Sequence, residues 1–258
     1  MKWQHECKLD WLKARQSFLT ATDVADLLPF TKTGKPRTVT PEMYRKVLSR
    51  KLVDLGPSDC LSVGAAARGH LLEPYAIDQL NYLIEYAPVL LKANNKFYHW
   101  DDCLVRSSAI GRLAFSPDAC DIEQPSDIVV TAHPTMIAEV KSYSAERHVV
   151  CGYTSKDRLE ERWQVATAMA VCDSIKLAYI VFFNPSYKTP VYLFEYTRED
   201  LEDEIEEVKK VEKAWDDYLV TGGSPIDSFA INVNISEKEI IEDILEKEKL
   251  SPVKSIIE

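Results

Sequence analysis

Apolar residues recur along this chain with two different periods, and the switch between them divides it. To about Leu28 the pattern fits two short helices broken near Ser17–Thr22. Thr22, ahead of Asp23-Val24-Ala25-Asp26-Leu27-Leu28, is the expected helix N-cap. Thr31–Thr40, with Gly34, Pro36 and three basic residues, predicts a loop. Helices follow over Pro41–Leu52 and roughly Ser62–Tyr86. The period then shortens to two. Strands are predicted around Lys96–Trp100, Ile110–Ser116, Asp127–Thr131 and Met136–Ser142, with a hairpin-like break at Ala132-His133-Pro134-Thr135 between the last two. A helix over Lys156–Cys172, an apolar run Lys176–Asn184, a strand Val191–Tyr196 and a charged helix Arg198–Val220 follow.

Helices first, then strands interleaved with helices, predict an α/β (α+β) fold: a mixed central sheet flanked by helices, with an N-terminal helical region. The body ends at Gly222-Gly223-Ser224-Pro225. Residues 1–222 are therefore expected as one domain and residues 223–258 as an acidic, partly helical appendage, most simply a solubilising extension.

Charge modifies this picture. The net charge of −10 looks wrong for a protein that handles nucleic acid, but the imbalance is local. Residues 199–258 hold 18 acidic and 7 basic side chains, which leaves 23 acidic and 24 basic ones over residues 1–198. The body is close to neutral, so net charge decides nothing about a basic groove inside it. No apolar run reaches the ~20 residues of a membrane span. The first residues lack the pattern of a signal peptide, and a cytosolic setting is the expectation. The six cysteines (Cys7, Cys60, Cys103, Cys120, Cys151, Cys172) include no C-x-x-C pair, against zinc and clustered iron–sulfur sites.

The chemistry-bearing pattern is Ser116-Pro117-Asp118, followed twenty-one residues later by Glu139-Val140-Lys141. On a strand, Glu139 and Lys141 share a face and Val140 points into the core. An acid and an amine at the end of an apolar strand need satisfying partners. A hard divalent cation would serve: carboxylate oxygens of Asp118 and Glu139, plus the backbone carbonyl of Val140, form a suitable oxygen set. Such a cation, Mg²⁺ with Mn²⁺ as a substitute, activates water at a phosphodiester; a second ion steadies the leaving oxygen and Lys141 the developing charge. The same three residues also allow a plainer arrangement, a surface Asp in a turn and an exposed salt bridge on a strand.

Glu73 bears on that choice. It lies on one apolar helical stripe with Ile77, Leu80 and Ile84, so it faces inward and needs a partner, which the same cation could be, directly or through water. Pro74, awkward inside a helix, implies a helix start or a kink there. An exposed first-turn acid is the plainer alternative.

Together, Gly69-His70-Leu71-Leu72-Glu73, Ser116-Pro117-Asp118 and Glu139-Val140-Lys141 resemble the phage lambda exonuclease (YqaJ-like viral recombinase) family of the PD-(D/E)XK nucleases, over roughly residues 10–200. Trp11-Leu12-Lys13-Ala14-Arg15 and Leu19-Thr20-Ala21-Thr22-Asp23-Val24 look like its N-terminal W-x-x-x-R…T-A-S segment, with Thr22 in place of serine. Arg147, six residues beyond Lys141, and Gln164 match further positions of that pattern. Ser142-Tyr143 departs from it, since Cys-Pro is usual there, and alters the expected loop leading to Arg147.

The resemblance implies a PD-(D/E)XK core and a Mg²⁺-dependent 5′→3′ exonuclease with two ions per site. Glu73, Asp118, Glu139 and Lys141 would be its catalytic set, and Arg15, Thr22, Ser116, Arg147 and Gln164 its pocket for the 5′-phosphate of a DNA end. It implies release of 5′-mononucleotides, 3′ overhangs for recombination, a ring-shaped homotrimer, a single-strand annealing protein as partner, and a bacterial or phage-infected host cytosol. Each pocket residue also has a plainer role: a surface ion pair for Arg15, a simple cap for Thr22, a loop cation for Arg147, a solvated helix position for Gln164. Two other functions stay open: a structure- or sequence-specific endonuclease of the same superfamily, and a catalytically dead end-binding subunit.

Overall fold

Leu177–Phe183 is a run of seven apolar residues, every one of them buried. A strand buried on both faces needs cover on both sides, and the chain supplies it. In the computed structural model, which describes residues 2–31, 35–55, 64–106 and 111–221, this run is β7, next to the centre of a five-stranded sheet. The elements, in chain order, are α1 (Lys2–Gln16), α2 (Ala21–Leu27), α3 (Pro41–Leu52), α4 (Ala65–Tyr86), β1 (Tyr98–His99), β2 (Leu104–Arg106), β3 (Ala114–Phe115), β4 (Ala119–Cys120) and β5 (Val129–Val130). They continue with β6 (Met136–Lys141), α5 (Ala145–Gly152), α6 (Arg162–Val171), β7, β8 (Val191–Thr197) and α7 (Glu202–Thr221).

The main sheet runs β1-β4-β6-β7-β8; β6 and β7 are parallel and the other pairs antiparallel. Alternation sorts its two faces. Leu177, Tyr179, Val181 and Phe183 pack with Ala76, Ile77 and Leu80 of α4. Ala178, Ile180 and Phe182 face the other way, into a core with Trp163, Ala166 and Met169 of α6 and Val208, Val211 and Trp215 of α7. Truncating a fully buried aromatic such as Phe182 to alanine would cost about 3–5 kcal/mol. A mixed sheet flanked by helices is the class the hydrophobic pattern predicted. Among the described residues no helix is long and apolar enough to cross a membrane. Cys103, Cys120, Cys151 and Cys172 are free thiols in the core.

Several expectations are corrected. The break at 132–135 is no hairpin. Val129 and Val130 pair in parallel with Leu104 and Val105 in a separate three-stranded sheet, β3-β2-β5, whereas Met136 opens the main sheet. The Thr135 carbonyl accepts from the N–H groups of Lys176 and Leu177, which draws the chain toward β7 instead of back along β5. The helix expected over Lys156–Cys172 is a 3₁₀ turn at Lys156–Arg158 and then α6. Before it comes an unexpected helix, α5, so Arg147 sits on a helix rather than a loop. Strands β2 and β4 are too short to show a period. The charged helix α7, expected as a solvated face, buries one side: Ile205, Val208, Val211 and Trp215 are buried while Glu206, Lys209, Lys210 and Lys213 face solvent. Gly34, Cys60, Ser62, Ile110 and the expected appendage 223–258 lie outside the described residues.

Candidate active site

Period-two geometry on β6 sets out the first part of the site. Val140 packs with Ala138 and Met136 toward α4, which puts Glu139 and Lys141 on the opposite face with Ile137. Their side chains form an ion pair, Lys141 Nζ donating to Glu139 Oε1. Asp118 comes from the turn between β3 and β4, beside the end of β6, and its Oδ2 accepts the Val140 N–H at 2.6 Å. In an extended strand the N–H and C=O of one residue point to the same side, so the Val140 carbonyl also faces Asp118.

The N-terminal helices close the opposite wall. The link between α1 and α2 is stitched to β3: the Leu19 N–H donates to the Arg112 carbonyl and the Ala114 N–H to that of Leu19. Trp11 Nε1 donates to Ser116 Oγ at 3.0 Å, and Ser116 donates onward to the Cys103 carbonyl at 2.7 Å. The hydroxyl proton of Ser116 is thus committed to Cys103, and the residue ties α1 to the Asp118 turn. The Arg15 guanidinium lies over the Trp11 ring, 4.5 Å from its centroid. Burial lowers the Arg15 pKa, against the attraction of Asp23 and Glu139.

The cap of α2 is Thr20, not Thr22. The Thr20 N–H and hydroxyl both donate to Asp23 Oδ2 three residues on, a reciprocal arrangement that Thr22 cannot make because it already lies inside the helix. Thr22 is exposed and faces the cleft.

Glu73 does not start a helix. It lies in the ninth position of α4, which runs on through Pro74. Proline has no N–H, so the His70 carbonyl loses its usual acceptor role there. The inward-facing carboxylate finds two imidazoles: His70 Nδ1 lies 3.3 Å from Oε1 and His99 Nε2 3.7 Å from Oε2. Burial alone would raise its pKa, but the neighbouring imidazoles of His70 and His99 outweigh this and hold it at about 2. The inferred need for a partner was correct, and two histidines meet it here.

One cavity of about 240 Å³ gathers these groups: Arg15, Thr22, Glu73, Ser116, Asp118, Glu139, Val140, Lys141 and Gln164 all line it. Arg147 does not. It lines an adjoining cavity of about 400 Å³ that shares Ala21, Thr22 and Gln164 with the first. Its guanidinium stacks on Tyr143, 4.3 Å from the ring centroid, and lies 3.4 Å from Glu161 Oε1.

The donor set suits a hard cation. Burial, then the neighbouring charge of Glu139, pushes the Asp118 carboxyl well above its ordinary range. Burial lowers the Lys141 pKa, but Glu139 and Asp118 outweigh it and raise the net value. Two adjacent carboxylates therefore face one amine, and each keeps an oxygen beyond those bonded to Val140 and Lys141. Among the described residues no three His, Cys, Asp or Glu groups close into a ready metal cage.

No protein-family model matches the chain, and no curated protein does. Among solved structures it is similar to an alkaline exonuclease, LHK-Exo, from Laribacter hongkongensis: 19% identity and a TM-score of 0.54, over 94% of this chain and 99% of that one. The crystal structure of LHK-Exo in complex with dAMP matches at 18% identity with the same TM-score and coverage. The fold is similar to that of an exonuclease. Identity this low carries the fold alone.

Two site residues were missed by the sequence reading. His70 stands three positions before Glu73 on a helix, a spacing that brings side chains together, so its role was legible. His99 was not: it reaches Glu73 from a two-residue strand twenty-six positions away.

Proposed function

We propose that this protein is a Mg²⁺-dependent 5′→3′ double-strand DNA exonuclease that resects duplex ends, releases 5′-mononucleotides and leaves 3′ single strands for recombination. One observation carries the reading. Side chains from α1, α2, α4, the β3–β4 turn, β6 and α6 share a single cleft with carboxylates at one part of it and Arg15 at another.

Asp118, Glu139 and the Val140 carbonyl would hold the cation, with Glu73 as a further carboxylate on the same cavity wall. When bound, Mg²⁺, in one or two ions, polarises the phosphodiester and acidifies a water. Lys141 steadies the charge that builds on the phosphate oxygens. Arg15, with Thr22 and Gln164 beside it, seats the terminal 5′-phosphate, since a guanidinium grips phosphate through paired N–H bonds. Ser116 holds α1, and with it Arg15, against the Asp118 turn. The whole enzyme works on DNA ends in the cytosol as a homo-oligomer, a trimer by resemblance, beside an annealing protein.

The test uses linear duplex with or without 5′-phosphates, and a covalently closed circle, each in Mg²⁺ or EDTA. The expected result is faster loss of the phosphorylated linear DNA, only with Mg²⁺, and an untouched circle. Cleavage of the circle would replace this reading with an endonuclease; end binding with no cleavage in any divalent metal would replace it with a dead subunit.

A further inference from the structure

The second of the two cavities described above has room and walls for a ligand of its own. The first gathers the carboxylates Asp118 and Glu139, with Trp11, Trp100 and Phe115 also in its walls. The second is larger, about 400 Å³, within the roughly 300–1,000 Å³ of small-molecule sites. Phe30, Tyr143 and Trp163 give it aromatic walls; Phe30 and Trp163 are 5.2 Å apart, centroid to centroid. Arg147, Lys46 and Arg50 bring cations to it, and Asp26, Glu160 and Glu161 bring carboxylates. Lys46 and Arg50 are already paired with Asp26, and Arg147 lies near Glu160 and Glu161.

The order of groups matters. Moving away from Asp118 and Glu139, the shared wall of Ala21, Thr22 and Gln164 comes first and the aromatic chamber with Arg147 beyond it. Resting on the exonuclease reading, we infer that this chamber is a second nucleotide subsite, holding the nucleotide that precedes the phosphate seated near Arg15. The phosphate seat is therefore open behind, not blind. A polyphosphate tail is a poorer occupant, because Glu160 and Glu161 would repel it and the aromatic walls offer it nothing. A base gains from them: it stacks on aromatic rings, and its exocyclic amine suits a carboxylate acceptor. Arg147 then faces the phosphate of this extra nucleotide rather than the one beside Arg15.

The consequence is a product of defined size. A duplex with one unpaired 5′ nucleotide should be cut at the same place relative to the metal-binding carboxylates as a flush end. Water's oxygen bonds to phosphorus, the P–O3′ bond breaks and a proton passes to the leaving 3′-oxygen. The first fragment released is a 5′-phosphorylated dinucleotide.

Two variants and two readouts test this. Ala25 lines only the aromatic chamber, and Ala25→Phe would fill it; Phe30→Leu removes one ring with little change of volume. Wild type should release a dinucleotide from the extended end, and either variant should slow that release about tenfold while flush-end digestion stays unchanged. Independently, 2-aminopurine as the unpaired nucleotide should be quenched on binding in EDTA, and Ala25→Phe should abolish the quenching. Mononucleotides only, equal rates in wild type and variants, absent quenching, or a preference for a 5′-triphosphate flush end over the extended one would each overturn the subsite. If flush ends are not digested at all but the quenching follows the variants, the nuclease reading fails and the subsite stands.

Discussion

Asp118 accepts the Val140 N–H at 2.6 Å, which fixes one of its two carboxylate oxygens against the strand that carries Glu139 and Lys141. The other oxygen is left for a ligand. Burial and the Glu139 charge make the ionised form costly, so folding gains little from this acid in the absence of a cation. Asp118→Ala should therefore abolish digestion, by about 10³-fold or more, while the thermal midpoint in EDTA changes by a few degrees at most. Nuclease assay and circular-dichroism melting check both halves; full activity would retire the metal site.

Lys141 plays the opposite part. It is the cation paired with Glu139 and attracted by Asp118, so removing it leaves two acids facing each other with no amine. Lys141→Ala should lose activity and, in EDTA, lose about 3 kcal/mol of stability, the usual cost of breaking a buried pair. Added Mg²⁺ should restore much of that stability, because a ligand that binds only the folded state stabilises it. Melting curves across a Mg²⁺ titration measure this, and a variant indifferent to Mg²⁺ would argue against cation binding at Asp118 and Glu139.

Ser116 and Arg15 face the same cleft for different reasons, and their variants should separate. Ser116→Ala strands the Trp11 N–H and the Cys103 carbonyl, which costs about 1–3 kcal/mol of stability. It should alter the preference for phosphorylated ends only mildly. Arg15→Ala should erase that preference if, as proposed, its guanidinium seats the 5′-phosphate. Comparing rates on 5′-phosphate and 5′-hydroxyl duplexes, beside the melting midpoints, decides it. Equal loss of preference in both would return the Ser116 hydroxyl to the phosphate seat.

How much of this was legible beforehand follows from what each feature leaves in a sequence. The inward face of Glu73 showed in its spacing with Ile77 and Leu80, and the shared face of Glu139 and Lys141 in strand alternation, because both depend on local periods. The double-sided burial of β7 showed as an unbroken apolar run. His99, the Trp11–Ser116 bond and the second chamber did not show, since each joins residues distant in the chain: the first two through strands too short to carry a period, the chamber through helices and loops. Arg147 was expected beside Arg15 from the resemblance alone; α5, which the sequence did not show, carries it to the adjoining cavity. Thr22 was preferred over Thr20 as the cap because either hydroxyl satisfies the rule; only Asp23, three residues after Thr20, breaks the tie.

Asp23 gives the last prediction, and it concerns acid stability rather than catalysis. The residue is only 3% exposed, and its side chain accepts from Thr20, Lys51 and Arg50. Burial alone would raise its pKa; the pairing with Lys51, the Thr20 N–H and Arg50 outweighs that and lowers it. A folded-state value below the unfolded one means the stabilisation is fully present above the unfolded pKa, about 3.9, and fades as pH falls through the folded value. Asp23→Asn should thus be destabilised by about 3 kcal/mol at pH 7, with Lys51 and Arg50 left short of an anion. The gap between the two melting midpoints should hold from pH 7 to about pH 5 and shrink below about pH 4. A gap that stays constant down to pH 3 would show that Asp23 acts through its shape and hydrogen bonds alone, not through its charge.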